Sequence, residues 1–152
     1  FPTELTDALG ETIRKVGQEF GATTGRPRRC GWLDVAALRL AVRLSGLSSI
    51  ALTKLDVLAG INPLKICTGY KVGSETRDEL PTDPEEILKA EPIYEEIEGW
   101  SEDIRNVREV DALPMTTRRY IKRIEALLDV DVAMISVGPG RAETIMTKNP
   151  FR

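Results

Sequence analysis

A four-residue polar segment, Thr53-Lys54-Leu55-Asp56, directly follows a short apolar run at residues 48–52. A T/N-K-x-D segment after a strand is typical of loops that recognise guanine. One carboxylate can accept hydrogen bonds from both N1–H and the exocyclic amino group of guanine, a pair that adenine does not offer. The methylenes of a lysine two residues earlier can cover the base while its ammonium stays hydrated. The segment indicates a guanine-binding loop, and a capped loop with no ligand is the alternative.

An arginine-rich segment lies upstream, at residues 21–34, with the sequence GATTGRPRRCGWLD. Glycines permit tight backbone turns and a close approach to a ligand. Guanidinium groups present planar forks that match carboxylate and phosphate groups. The segment predicts an anion-binding loop, and a solvated basic loop is the alternative.

Helical and strand patterns alternate along the chain. Apolar spacing predicts a helix over residues 6–20, and a second helix over 35–44 that Asp34 caps and Gly46 ends. That helix leads into the strand before the Thr53–Asp56 segment. Further strands are predicted at 64–72, 91–98, 132–135 and 144–147, with helices at 84–90 and from Pro114 to about residue 128. Such alternation indicates an α/β fold.

A second small-residue turn, Ser136-Val137-Gly138, again follows a predicted strand. In GTP-binding proteins a turn of this kind supplies backbone N–H groups to guanine O6. By itself the pattern is unspecific. Together with the Thr53–Asp56 segment it becomes a candidate for a second loop of the same site.

Composition excludes several classes of function. The 152 residues have 41% hydrophobic and 30% charged content, and the net charge of −3 gives no reason to expect nucleic acid or an anionic membrane as a general partner. The apolar runs are only strand-length, so no membrane span is expected. Cys30 and Cys67 lack metal-type spacing and are expected to be reduced cysteines of a cytoplasmic protein.

Three features suggest a piece of a longer protein. The chain begins with Phe1-Pro2, contains no histidine, and has no G-x-x-x-x-G-K-[S/T] segment to hold a triphosphate. A guanine loop without a phosphate loop is half of a nucleotide site.

Several segments resemble the adenylosuccinate synthetase family in their order and spacing. They are FPTEL, GATTGRPRRCGWLD, TKLDVL, PIYEEIEGW, the LP…YIKRIE stretch and ISVGPGR. The resemblance implies that residues 1–152 form the C-terminal part of a P-loop-NTPase-like α/β enzyme with a central, largely parallel sheet and flanking helices. The family's phosphate loop and catalytic residues have no counterpart here, so no catalytic or metal-binding residue is assigned.

The resemblance also implies an activity. The family forms adenylosuccinate from IMP and L-aspartate, driven by GTP and requiring Mg²⁺, which residues outside this chain would bind. Its members act as homodimers, and a cytoplasmic location is expected.

Site residues carry over position by position. The aspartate loop corresponds to Ala22, Thr23, Thr24, Gly25, Arg26, Pro27 and Arg28, in which Arg26 also matches an IMP contact. The GTP site corresponds to Arg28, Lys54, Leu55, Asp56, Ser136, Val137 and Gly138. Two positions depart from the family. Pro27 replaces a residue that is often charged, so its side chain is assigned no contact, and Gly140 stands where Asp is common.

Two other classes of function remain open. The chain could be a guanine-nucleotide-binding module without ligase chemistry, or a structural domain in which both motifs are incidental. An Asp56→Asn variant distinguishes them, because it should abolish base preference in a guanine site and mainly alter stability in a structural loop.

Overall fold

The computed structural model describes residues 1–148, and residues 149–152 lie outside the described part. The helices are α1 (Ala8–Val16), α2 (Val35–Ser45), α3 (Pro84–Lys89) and α4 (Met115–Leu128). The strands are β1 (Leu33–Asp34), β2 (Ser49–Leu52), β3 (Leu64–Val72), β4 (Glu75–Arg77), β5 (Glu91–Ile97), β6 (Asp131–Ser136) and β7 (Thr144–Met146). The α/β class predicted from the sequence is confirmed.

The chain divides into two compact units, and each is described by itself. Unit 1 comprises Phe1–Leu40 and Lys65–Glu95. Its sheet has β3 at the centre, parallel to β1 and antiparallel to β4, and β5 also pairs with β3. Fully buried Ala36, Cys67 and Tyr70 form a cluster of its core.

Unit 2 comprises Ala41–Leu64 and the described residues from Glu96 onwards. Its three-stranded sheet has the order β2-β6-β7, in which β2 and β6 are parallel and β6 and β7 are antiparallel. Helix α4 packs on β6. The helix has a stripe of buried residues at helical spacing, which includes Tyr120, Ile121, Ile124 and Leu128. These side chains form the buried face of the helix.

Helix starts follow from aspartates in the sequence. The Asp34 carboxylate accepts a hydrogen bond from the Ala37 N–H at 2.9 Å, as an N-cap does, and Gly46 after the end of α2 has a φ of +60°. Asp7 caps α1 in the same way, accepting from the Gly10 N–H at 3.0 Å. Helix α1 is shorter than the predicted 6–20, because Gly17 caps its C-terminus and Gln18 takes a left-handed conformation.

The sheet arrangement differs from the sequence-based expectation in one respect. Strands that the sequence predicts in one largely parallel sheet lie in two, and each sheet contains antiparallel neighbours. The antiparallel pairing of β3 with β4 follows from the short connection between them, in which Val72 pairs with Glu75. A two-residue connection can join only antiparallel strands, since a parallel pair needs a long crossover.

Two further observations concern membrane spans and cysteines. No helix within residues 1–148 is long and apolar enough to cross a membrane. Cys30 and Cys67 are both buried free thiols.

Candidate functional site

The two loops that the sequence predicts for guanine recognition follow adjacent parallel strands. Leu52 at the end of β2 pairs with Ile135 near the end of β6. Thr53 and Ser136 are therefore neighbours at the carboxyl edge of the unit 2 sheet. Open α/β sheets bind ligands outside the carboxyl ends of their strands.

The Thr53–Asp56 segment turns sharply after β2. Lys54 takes a left-handed conformation with φ +59°, and a single 3-10 turn, Leu55–Leu58, begins directly after it. The side chains of Leu55 and Val57 are buried, which fixes this turn in the core on both sides of Asp56. Lys54 is exposed.

The Asp56 carboxylate contains an unsatisfied acceptor. Its Oδ1 atom is buried and has no hydrogen-bond donor among the described residues. A buried acceptor without a donor costs about 1–3 kcal/mol. One explanation for such an atom in a native fold is that a hydrogen-bond donor of a bound ligand satisfies it.

The turn after β6 closes on itself through Glu143. The Ser136 hydroxyl donates to the Gly138 carbonyl at 2.8 Å. The Val137 N–H donates to the Glu143 carbonyl at 2.9 Å, and the Glu143 N–H donates to the Gly140 carbonyl at 2.9 Å. The Glu143 carboxylate also accepts a hydrogen bond from the Gly140 N–H. Sequence reasoning missed Glu143, because its contacts depend on how the chain folds back after residue 140.

An arginine lies within electrostatic reach of both loops. Arg105 donates from Nε to Asp103 at 2.9 Å, and its guanidinium lowers the pKa of Asp103 to about 2. The hydrogen bond with Asp103 raises the pKa of Arg105, and the charges of Asp56 and Glu143 raise it further. Arg105 therefore contributes positive potential at the carboxylates of both loops.

The arginine-rich loop in unit 1 is a short, exposed hairpin-like excursion. Phe20 and Pro27 form an antiparallel bridge, and the Gly21 N–H donates to the Arg26 carbonyl at 2.8 Å. Gly25 at its tip has φ +63°, which explains glycine at this position. Residues 22–28 are all exposed, and the Thr24 hydroxyl oxygen accepts from the Arg26 N–H at 3.4 Å.

Two of the loop's arginines are held by carboxylates. Arg28 Nη1 lies 3.0 Å from Glu19 Oε2, and the Arg14 guanidinium donates to the Arg28 carbonyl at 2.8 Å. Arg29 pairs with Glu4 and lies over the Phe1 ring. The pairing lowers the pKa of the Glu4 carboxyl. Arg26 differs, since no acidic partner for its side chain lies among the described residues.

The arginine-rich loop belongs to unit 1 and the two guanine-loop candidates belong to unit 2. The ligand roles inferred for these residues from sequence, including Thr23, Arg26, Lys54 and Gly138, stay predictions. For metals, no three His, Cys, Asp or Glu side chains in residues 1–148 are grouped closely enough to hold an ion. The expectation that Mg²⁺ binds outside this chain also stays a prediction.

Comparison with known proteins identifies the family. The family model described as adenylosuccinate synthetase matches residues 1–145. The chain belongs to the adenylosuccinate synthetase family. The chain is 54% identical over 149 residues to the adenylosuccinate synthetase of Caldanaerobacter subterraneus subsp. tengcongensis, and these residues make up 98% of this chain and 35% of that protein. It is 53% identical over 152 residues to the synthetase of Syntrophus aciditrophicus, again covering 35% of that protein.

A solved structure agrees with this assignment. The fully ligated adenylosuccinate synthetase from Plasmodium falciparum superimposes with a TM-score of 0.93 at 39% sequence identity, over 97% of this chain and 36% of that one. The chain therefore spans about a third of the length of the adenylosuccinate synthetases it matches, and the sequence-based resemblance is confirmed.

Proposed function

We propose that this chain supplies substrate recognition for a GTP-dependent ligase that forms adenylosuccinate from IMP and L-aspartate, the first committed step of AMP synthesis from IMP. The observation that carries the proposal is the buried Oδ1 atom of Asp56, which has no donor within the described residues. Guanine offers two adjacent donors, N1–H and the exocyclic amino group, to a carboxylate in this position.

The remaining contacts to guanine follow from the two loops at the sheet edge. In the turn at residues 136–138, Ser136 and Gly138 would contact guanine O6, whereas the Val137 N–H already donates to the Glu143 carbonyl. The exposed Lys54 would lay its methylenes over the base. Adenine would meet the Asp56 carboxylate with an unprotonated N1, and this mismatch would give the preference for GTP.

The arginine-rich loop would bind the other substrates. Thr23 and Thr24 would donate hydroxyl hydrogen bonds to the L-aspartate carboxylates, and Arg26 would contact both IMP and aspartate. Arg28 would lie where aspartate and GTP meet, and Glu19 would orient its guanidinium through the 3.0 Å ion pair. A dicarboxylate needs several donors, and arginines supply them without titrating.

The reaction of the whole enzyme would proceed in two steps. GTP would phosphorylate the 6-oxygen of the hypoxanthine ring, and the aspartate amino group would then displace phosphate. Mg²⁺, which residues outside this chain would hold, neutralises charge during phosphoryl transfer. The homodimer and the cytoplasmic location expected of the family belong to the same proposal.

The test is a chimera in which this chain replaces the matching third of the Caldanaerobacter synthetase. We expect it to form adenylosuccinate from IMP, L-aspartate and GTP, and to use ATP at least about tenfold less well, as loss of one charged hydrogen-bond pair implies. A folded chimera that forms no product would contradict the ligase function. An active chimera that uses ATP equally well would contradict the guanine site alone.

A further inference from the structure

We propose that Glu143 is a positioning residue for guanine recognition, because its carboxylate holds the turn at residues 136–140 in its binding conformation. This inference rests on the proposed guanine site. None of the motifs in the sequence analysis includes Glu143.

The backbone of Glu143 anchors both ends of the turn. Its carbonyl accepts from the Val137 N–H at 2.9 Å, and its N–H donates to the Gly140 carbonyl at 2.9 Å. These two bonds keep the turn closed whatever side chain residue 143 carries. Between Val137 and Gly140, the Gly138 carbonyl also accepts from the Ser136 hydroxyl at 2.8 Å.

The side chain of Glu143 adds a fixed point at Gly140. Its carboxylate accepts from the Gly140 N–H and lies directly against the Cα of Gly138. A methyl group on Gly138 would come within 2.6 Å of the Glu143 carboxyl carbon, and one on Gly140 within 2.7 Å of Oε2. Both glycines therefore make room for this carboxylate, and Gly138 is buried.

The position of Gly140 in the chain is explained by the same contact. A side chain at residue 140 would compete with Glu143 for the space beside the Gly140 N–H, because its Cβ would come within 2.7 Å of Oε2. The acceptor on that N–H comes from residue 143. Arg105, whose pKa the charge of Glu143 helps to raise, adds a cation within electrostatic reach of this turn.

The Glu143 contacts would affect guanine recognition through the geometry of the turn. A turn that donates to guanine O6 must hold its N–H groups within a few tenths of an ångström of the productive position, because hydrogen bonds weaken steeply with poor distance and angle. Fixing Gly140 and covering Gly138 restrict the peptide groups on either side of both glycines.

The experiment compares the wild-type chain with Glu143→Ala, Glu143→Gln and the control Glu109→Ala, whose side chain is exposed in the same unit. Calorimetric titration with GDP and with ADP measures base preference, and amide hydrogen exchange without nucleotide measures protection of Gly140. Glutamine keeps an oxygen acceptor of the same reach, whereas alanine removes it.

We expect Glu143→Ala to lower the GDP-over-ADP preference at least about fivefold and to speed exchange at Gly140 about tenfold, since one charged hydrogen bond is lost. Glu143→Gln should stay within about twofold of wild type, because an uncharged acceptor still holds the turn. A change in stability alone would not lower the preference, which is a ratio of two affinities.

Three results would overturn the inference. Glu143→Ala could retain the wild-type preference for GDP over ADP. Alternatively, Glu143→Gln could lose as much of that preference as Glu143→Ala, which would show that an uncharged acceptor at residue 143 does not hold the turn. A wild-type chain that binds GDP and ADP equally would refute the proposed guanine site itself, and the positioning role with it. A selective wild type with an unchanged alanine variant would refute the positioning role only.

Discussion

Leu52 and Ile135 are register partners in two parallel strands, and this pairing puts the loops after them at one edge of the sheet. The first loop contains Asp56 with its unsatisfied buried oxygen, and the second contains Gly138 beneath the Glu143 carboxylate. An acceptor and a backbone turn on neighbouring loops can approach the two edges of one base. Arg105 adds positive charge near both.

Asp56→Asn should abolish the preference for guanine and favour xanthine instead, rather than only weaken binding. The amide cannot accept from both guanine donors, so GDP affinity should fall about 10- to 100-fold, as loss of a charged hydrogen-bond pair implies. Xanthosine diphosphate has a carbonyl in place of the amino group, and the side-chain amide of the variant could donate to it. Calorimetry with GDP, ADP and xanthosine diphosphate measures the change, and Asp111→Asn on the same unit is the control. Unchanged GDP affinity would contradict the assigned role of Asp56.

Arg26→Ala should impair substrate use without destabilising the protein. Its guanidinium is exposed and has no acidic partner among residues 1–148, so nothing in the described structure depends on it. In the chimera we expect the KM for aspartate to rise at least about tenfold, the size of one lost charged contact. Arg29→Ala is the matched control, because Arg29 is paired with Glu4 and is assigned no substrate. If Arg26→Ala and Arg29→Ala raised the KM for aspartate equally, the loop would attract aspartate as a general basic patch and not through a specific contact of Arg26.

Gly25→Ala should lower stability through the backbone. The φ of +63° costs a residue with a Cβ about 1–2 kcal/mol, although no atom lies within 4 Å of the added methyl. Gly25→Asn should cost less, because asparagine tolerates the left-handed conformation. Chemical denaturation measures both variants. An alanine variant as stable as wild type would show that the loop relaxes to another conformation.

Tyr70 should resist ionisation until the protein unfolds. Burial raises the pKa of Tyr70, and its hydrogen bond to Asp34 raises it further. A folded-state pKa above the unfolded value of about 10 contributes stability that is present below pH 10 and is lost as pH rises above it. Ultraviolet titration should therefore show Tyr70 ionising together with unfolding.

Tyr70→Phe is the complementary test of that hydrogen bond. The variant should be destabilised by about 1–2 kcal/mol at neutral pH, because the Asp34 carboxylate loses a donor. The destabilisation should become smaller above pH 10, where the wild type loses the same contribution. A constant difference between the two proteins at every pH would contradict this origin of the stability.

Local signals in the sequence are sufficient for most elements. Strand β3 spans the predicted residues 64–72, and Asp34 caps the predicted second helix, because apolar periodicity and capping act over a few neighbouring residues. Pro114 immediately precedes α4, as its fixed φ and missing N–H favour. The predicted first helix is too long, since Gly17 and Gln18 end α1 before the apolar spacing does.

The sequence by itself determined the α/β class, the family and the two segments that could bind guanine, since these depend on residue types at short spacing. Only the tertiary structure decided that β2 pairs with β6, that the strands divide between two sheets, that Asp56 Oδ1 is buried without a donor among the described residues, and that Glu143 covers Gly138. The physical reason is that each of these depends on packing between residues far apart in the chain. Burial of a carboxylate oxygen is a property of the neighbours that surround it, and no local pattern encodes which neighbours those are.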